Sequence, residues 1–141
     1  MAPVRVSAKV DYALRAMVEL AATATDEPGL VKSERLATAQ AIPPKFLESI
    51  LLELRHAGLV SSQHGADGGY RLGRPATEIT IADVIRAVEG PIATIHGTRP
   101  EDVTYAGSAI ALRDVWIDLR TATRGVLEQT TVADLVARGT G

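Results

Sequence analysis

Between Phe46 and Leu72 the chain spells an amphipathic helix, an abrupt glycine stop and a short hairpin, with no spare residues between them. Phe46/Leu47, Ile50/Leu51 and Leu54 recur at helical spacing on one face, which leaves Lys45, Glu48, Ser49 and Arg55 for the exposed side. Gly58 suits the turn that ends a helix. The runs 59–63 and 69–72 then flank Asp67 and Gly68, a strong short hairpin signal. The apolar face of such a helix needs other helices to cover it, while its polar face and the hairpin stay outside together.

The flanking sequence supplies those covering helices. From Ser7 to about Ala24, Val10, Ala13/Leu14, Met17 and Leu20/Ala21 form one apolar stripe, closed by turn chemistry at 26–29. A short helix follows over about Ser33 to Gln40, with Ser33 as N-cap and Leu36 and Ala37 facing inward. Pro44 supplies a pre-set φ for the first turn of the next helix. Thr80 and Asp83 resemble a capping box that opens a fourth helix, stopped by Gly90 and Pro91. The expected fold is therefore mainly α with a small β-hairpin wing: a winged helix-turn-helix plus a long C-terminal helix. That layout presents a helix to a DNA groove and a wing to the backbone beside it. Residues 1–90 form the winged helix-turn-helix, 91–108 a loop, and 109–141 the long helix with a short last helix capped by Thr130/Thr131.

The long helix, starting near Ser108 and about 20 residues in length by its pattern, repeats Leu112, Val115/Trp116, Leu119, Ala122/Thr123 and Val126 at roughly heptad spacing. It carries more apolar stripe than its own chain covers, so a homodimer interface through Leu112, Val115, Trp116, Leu119 and Val126 is expected. Folding back on its own domain is the alternative.

Composition narrows function by exclusion. There is no cysteine, which removes disulfides, thiol nucleophiles, cysteinyl zinc and cysteine-ligated iron–sulfur clusters. The formal charge of −2 is no nucleic-acid signature. Residues 1–75 nevertheless hold nine Lys/Arg against eight Asp/Glu, and 76–141 six against nine, so DNA binding would rest on local clustering. No apolar run reaches signal-peptide or transmembrane length, and a cytoplasmic protein with no membrane partner is expected.

Taken together, the stretches Arg5 to Lys9, Tyr12 to Met17, Phe46 to Ser49, Leu54 to Ser62, Gly65 to Gly73, Ile79 to Asp83, Ala87 to Pro91, Leu112 to Trp116 and Thr130 to Leu135 resemble the Rrf2 family of bacterial winged-helix regulators. The resemblance spans nearly the whole chain. It implies a dimeric transcription factor with a C-terminal dimerisation helix.

Lys45, Glu48 and Ser49 stand at the start of the recognition helix, where such a helix meets base edges. The resemblance implies that Glu48 reads bases, and a carboxylate accepts well from cytosine N4. Arg5, Lys9, Tyr12, Arg55 and Arg71 are candidates for phosphate contacts, which position without specifying. Arg55 has a competing role in pairing with Glu53 or Glu48, and Tyr12 in packing. His64 is a further DNA candidate on the wing, where many family members carry an arginine. Asp67 adds a negative charge at the wing tip, and Asp11 replaces a residue that is often basic. The interval from Ile92 to about Ala111, which holds three cysteines in cluster-binding members, offers His96, Glu101, Asp102 and Tyr105. One histidine among flexible carboxylates is a weak metal signal, so no metal and no cofactor are expected.

The leading expectation is a sequence-specific DNA-binding regulator, read first as a repressor, acting as a homodimer on a palindromic double-stranded operator. A small molecule or a protein would serve as its effector. A winged-helix protein-interaction adaptor that has lost DNA binding is the alternative. An enzyme is disfavoured, because His56, His64 and His96 have no nucleophile or paired carboxylate at catalytic spacing.

Overall fold

The computed structural model describes residues 6–23, 29–91 and 94–140. Among the described residues, six α-helices and one hairpin follow in the order α1 (Ala8–Thr23), α2 (Ser33–Gln40), α3 (Pro44–His56), β1 (Val60–Gln63), β2 (Gly69–Leu72), α4 (Ile81–Glu89), α5 (Leu112–Leu127) and α6 (Val132–Thr140). The first helix buries Val10, Ala13, Ala16, Met17 and Leu20, the stripe its periodicity predicts. Leu36 and Ala37 of α2 and Leu47, Ile50, Leu51 and Leu54 of α3 meet it in one core, joined by Ala82, Val84, Ile85 and Val88 of α4. Each fully buried leucine or isoleucine contributes about 1.5–3 kcal/mol, so the apolar face of α3 alone fixes its position firmly.

Two details, one in α3 and one in α2, differ from the sequence expectation. Phe46 is 42% exposed. It stands at the edge of the stripe, with its ring 5.4 Å from that of Tyr12 in an edge-on contact. Ser33 is the first residue of α2 rather than its cap; the cap position is Lys32, with no side-chain bond to the helix.

Helix α3 ends in a paired turn. Gly58 N–H donates to the Arg55 carbonyl at 2.9 Å and Leu59 N–H to the Leu54 carbonyl at 3.0 Å. Gly58 has φ +78, which an L side chain adopts only with strain. Leu59, just beyond, is buried in the core, so the chain leaves the helix in a fixed direction.

The hairpin is antiparallel, with Val60 opposite Leu72 and Gln63 opposite Gly69. Its connection is the five residues 64–68 rather than a two-residue Asp67–Gly68 turn, and the positive φ falls at Gly65 (+106). Gly68 is required for another reason: a Cβ there would lie 2.1 Å from the Gln63 carbonyl oxygen. Val31 adds an isolated antiparallel bridge on the other side of β2, exchanging backbone hydrogen bonds of 2.8 and 2.7 Å with Tyr70.

The C-terminal part returns to this body. Ile81 N–H donates to the Thr130 carbonyl at 3.0 Å and Val132 N–H to the Ile79 carbonyl at 2.8 Å. Val132 is fully buried in the core. Thr80 caps α4 in a complete capping box with Asp83. Thr131 does the same for α6 with Asp134, whose carboxyl is held below its ordinary range by the Thr131 backbone N–H and then by its hydroxyl. The long helix α5 is shorter than its pattern suggested, 16 residues from Leu112, because Gly107–Ala109 forms a separate 3-10 turn.

Candidate nucleic-acid interface

The buried face of α3 turns Lys45, Glu48, Ser49 and Arg55 outward, all exposed as their spacing required. Pro44 occupies the first turn, so the exposed candidates begin one position into the helix. Beside them, Ser33 and Glu34 of α2 and Glu48 line a small recess of about 70 Å³.

The wing is tied to this helix by side chains. Arg55 Nη1 donates to Ser62 Oγ at 3.3 Å, while within the hairpin Arg71 Nε of β2 donates to Ser61 Oγ of β1 at 3.3 Å. Lys32 Nζ donates to the Ala66 carbonyl at 2.7 Å and more weakly to that of Gly68 at 3.4 Å, pinning the wing tip against the start of α2. Lys32, Arg55 and His64 thereby line one groove of about 230 Å³ between helix and wing. Sequence reasoning brought Arg55 and His64 into the site but missed Lys32. Its only signal was its place just ahead of the first helix of the helix-turn-helix.

The cations of α1 are less free than expected. Lys9 Nζ pairs with Glu53 of α3 at 2.9 Å, so Arg55 does not take Glu53. Tyr12 packs against Phe46 on one side and lies 4.7 Å under the guanidinium of Arg15. Arg15 also pairs with Asp11 at 2.9 Å and donates to the Gln40 carbonyl at 2.7 Å. Arg5 lies outside the described residues.

On α5 no residue is buried. Val115 is 53% and Val126 65% exposed, with Leu112 also exposed, whereas Leu119 and Trp116 are half-covered. Trp116 Nε1–H donates to the Tyr105 hydroxyl at 2.8 Å, joining helix to preceding loop.

The sequence pattern of the Rrf2 family, described as iron-dependent transcriptional regulators, matches residues 6–138. The chain belongs to the Rrf2 family. A Mycobacterium tuberculosis protein named as an HTH-type transcriptional regulator is 51% identical over 131 residues, covering 93% of this chain and 80% of that protein. The HTH-type transcriptional regulator CymR of Bacillus subtilis is 38% identical over 133 residues, covering 94% and 90%. The solved structure of B. subtilis CymR, titled the global cysteine regulator, superposes with TM-score 0.80 at 36% identity over 96% of this chain and 98% of that one. IscR of T. potens gives 0.77 at 31% identity, over 96% and 88%. These relatives are regulators, not enzymes. This chain is accordingly a transcriptional regulator with the DNA-binding winged helix of the Rrf2 family, and among its described residues no helix is long and apolar enough to cross a membrane.

The family description names iron, and the residues here do not fit a cysteine-ligated iron centre. The interval before α5 contains no cysteine. His96 and Gly97, with φ +49 and +77, form the two-residue turn between Ile95 and Thr98, so the histidine is an exposed turn residue. Glu101 is engaged by Arg120 and Arg99. Among the described residues no three His, Asp or Glu side chains converge.

Proposed function

We propose that this Rrf2-family regulator is a homodimeric, sequence-specific repressor that works in the cytoplasm without an iron–sulfur cluster. The observation that carries the reading is the exposed row Lys45, Glu48 and Ser49 at the start of a helix whose opposite face is locked in the core. Glu48 is the base-reading candidate; Lys45 and Ser49 reach phosphate or neighbouring bases. Arg55, Arg71, His64 and the bound Lys32 position the wing and its DNA backbone. The exposed stripe Leu112, Val115 and Val126, continued by half-covered Trp116 and Leu119, supports a two-fold interface on α5. Two such subunits would read a palindromic operator.

Fluorescence anisotropy with duplexes tiling the protein's own promoter tests this. One duplex should bind far more tightly than a scrambled control, with affinity falling steeply as salt rises. Equal, weak affinity for all duplexes refutes it. Pairing of Lys9 with Glu53 and Arg15 with Asp11 favours a second reading, an adaptor with little DNA affinity. Under it, charge reversal at Lys9 and Arg55 leaves the biological readout intact.

A further inference from the structure

A cavity of about 680 Å³ lies where α4, the interval before α5, and α5 itself meet. Its lining holds four arginines, Arg86, Arg99, Arg120 and Arg124, against a single carboxylate, Glu101. None of them is among the candidate DNA-contacting residues.

The four come from distant parts of the sequence and are positioned differently. Arg86 is in the last turn of α4 and ion-pairs with Glu128, which does not line the cavity. Arg99 precedes the 3-10 turn Pro100–Asp102 and is exposed. Arg120 and Arg124 are four residues apart on α5, on one face of the helix, where like charges repel unless an anion lies between them. Arg124 has no side-chain partner among the described residues. Arg120 has its side chain 17% exposed and its Nε fully buried without a hydrogen bond. That Nε is closed to any ligand, so what Arg120 offers the cavity is the end of its guanidinium, which already donates to Glu101.

Glu101 shows what this cluster holds. Its two carboxylate oxygens are taken one by Arg120 and one by Arg99, and Arg113 secures its backbone carbonyl with bonds of 3.0 and 3.2 Å. These donors hold its carboxyl at about 2, well below the usual range, Arg120 contributing most and then Arg99. An external carboxylate or phosphate there would share Arg99 and Arg120 with Glu101 and Arg86 with Glu128, while Arg124 stands ready without a side-chain partner among the described residues. The volume falls in the range of metabolite sites.

We propose that this cavity binds a small dianionic oxyanion, a phosphate monoester or a dicarboxylate, as the effector of the protein. Occupancy rests on the cavity alone; the effector role rests on the regulator reading above. A ligand there would bridge α4, which is packed in the DNA-binding core, to α5, the proposed dimer helix.

Isothermal titration of the full chain at constant ionic strength, with glycerol phosphate, succinate and monovalent acetate as separate probes, tests it. Saturable binding of glycerol phosphate, succinate or both, at least tenfold tighter than acetate, is expected, and comparing the two arms identifies the ligand class. Arg124→Ala should weaken binding at least tenfold with an unchanged circular dichroism spectrum. Glu101→Gln should tighten it by releasing Arg99 and Arg120. Absence of saturable dianion binding, or equal binding by Arg124→Ala, overturns the site. Anisotropy on operator DNA without ligand tests the regulator reading separately. Intact DNA binding that the bound dianion leaves unchanged overturns the effector role.

Discussion

Replacing Glu53 by glutamine should make this protein bind DNA more tightly, although it removes an ion pair. Lys9 reaches across from α1 to Glu53 on α3 at 2.9 Å, with both side chains about a third exposed (31% and 36%). Exposed pairs of this kind contribute about 0.2–1 kcal/mol, so the variant should lose less than about 1 kcal/mol of stability. It gains a free ammonium beside the recognition helix. Each phosphate neutralised on duplex DNA steepens the dependence of log K on log salt by about 0.9. Extrapolated from about 1 M, one added contact is worth roughly fivefold in affinity at about 0.15 M salt and about fifteenfold at about 0.05 M. Anisotropy titrations of operator DNA across that range, with wild type, Glu53→Gln, Lys9→Ala and the double variant, close a cycle. The double variant should lose the gain, and Lys9→Ala alone should change the slope little. A full unit lost by Lys9→Ala alone would refute the reasoning, because Lys9 would then already contact phosphate despite Glu53.

Val115→Glu with Val126→Glu should convert a dimer to a monomer by light scattering, with helix content kept, since both side chains are more than half exposed and lie outside the core. Glu48→Ala should lower discrimination at one operator position by about 1–3 kcal/mol while leaving binding to scrambled DNA nearly unchanged; uniform loss over all duplexes would contradict base reading. Gly68→Ala should open the wing and weaken operator binding, because its methyl group would sit 2.1 Å from the Gln63 carbonyl; a wild-type affinity would show that the wing contributes nothing. Glu101 lies at about 2 instead of its ordinary 4.5, so its stabilising effect is complete above about 4.5 and lost as pH falls through about 2. Glu101→Gln should therefore flatten the decline in urea midpoint between pH 4.5 and 2, and parallel curves for the two proteins would count against the assigned ion pairs.

Elements with a strong period were legible in the sequence, and their tertiary chemistry was not. The α1 stripe, the Gly58 stop and the Thr80–Asp83 box depend on residues within a few positions of each other. Phe46 misled because it adjoins Leu47, yet one residue is 100° of helix, enough to move a ring from core to rim. The wing misled because Asp67–Gly68 has hairpin chemistry, while backbone clearance at Gly68 and the Lys32 clamp set the actual loop. Lys9 and Glu53 are 44 positions apart, so their pairing follows only from how α1 crosses α3. The arginine cavity draws on positions 86, 99, 120 and 124, which no local pattern groups.

How α5 is joined to the DNA-binding body decides what a dimer could do. The strand-like crossing of Thr80 with Thr131 ties the start of α4 to the start of α6, and each of those helices begins in its own capping box. Val132 then anchors the chain in the core that holds α3. At its other end α5 is fastened to the loop by Arg113 and Trp116. A dimer built on the exposed stripe of α5 would therefore carry each recognition helix through packed core rather than through a flexible linker. Half-site spacing would be a property of the α4–α5 geometry. That is the geometry the arginine cavity spans, so a ligand closing on Arg86 and Arg124 would act on spacing, and hence on operator choice, without touching Lys45, Glu48 or Ser49.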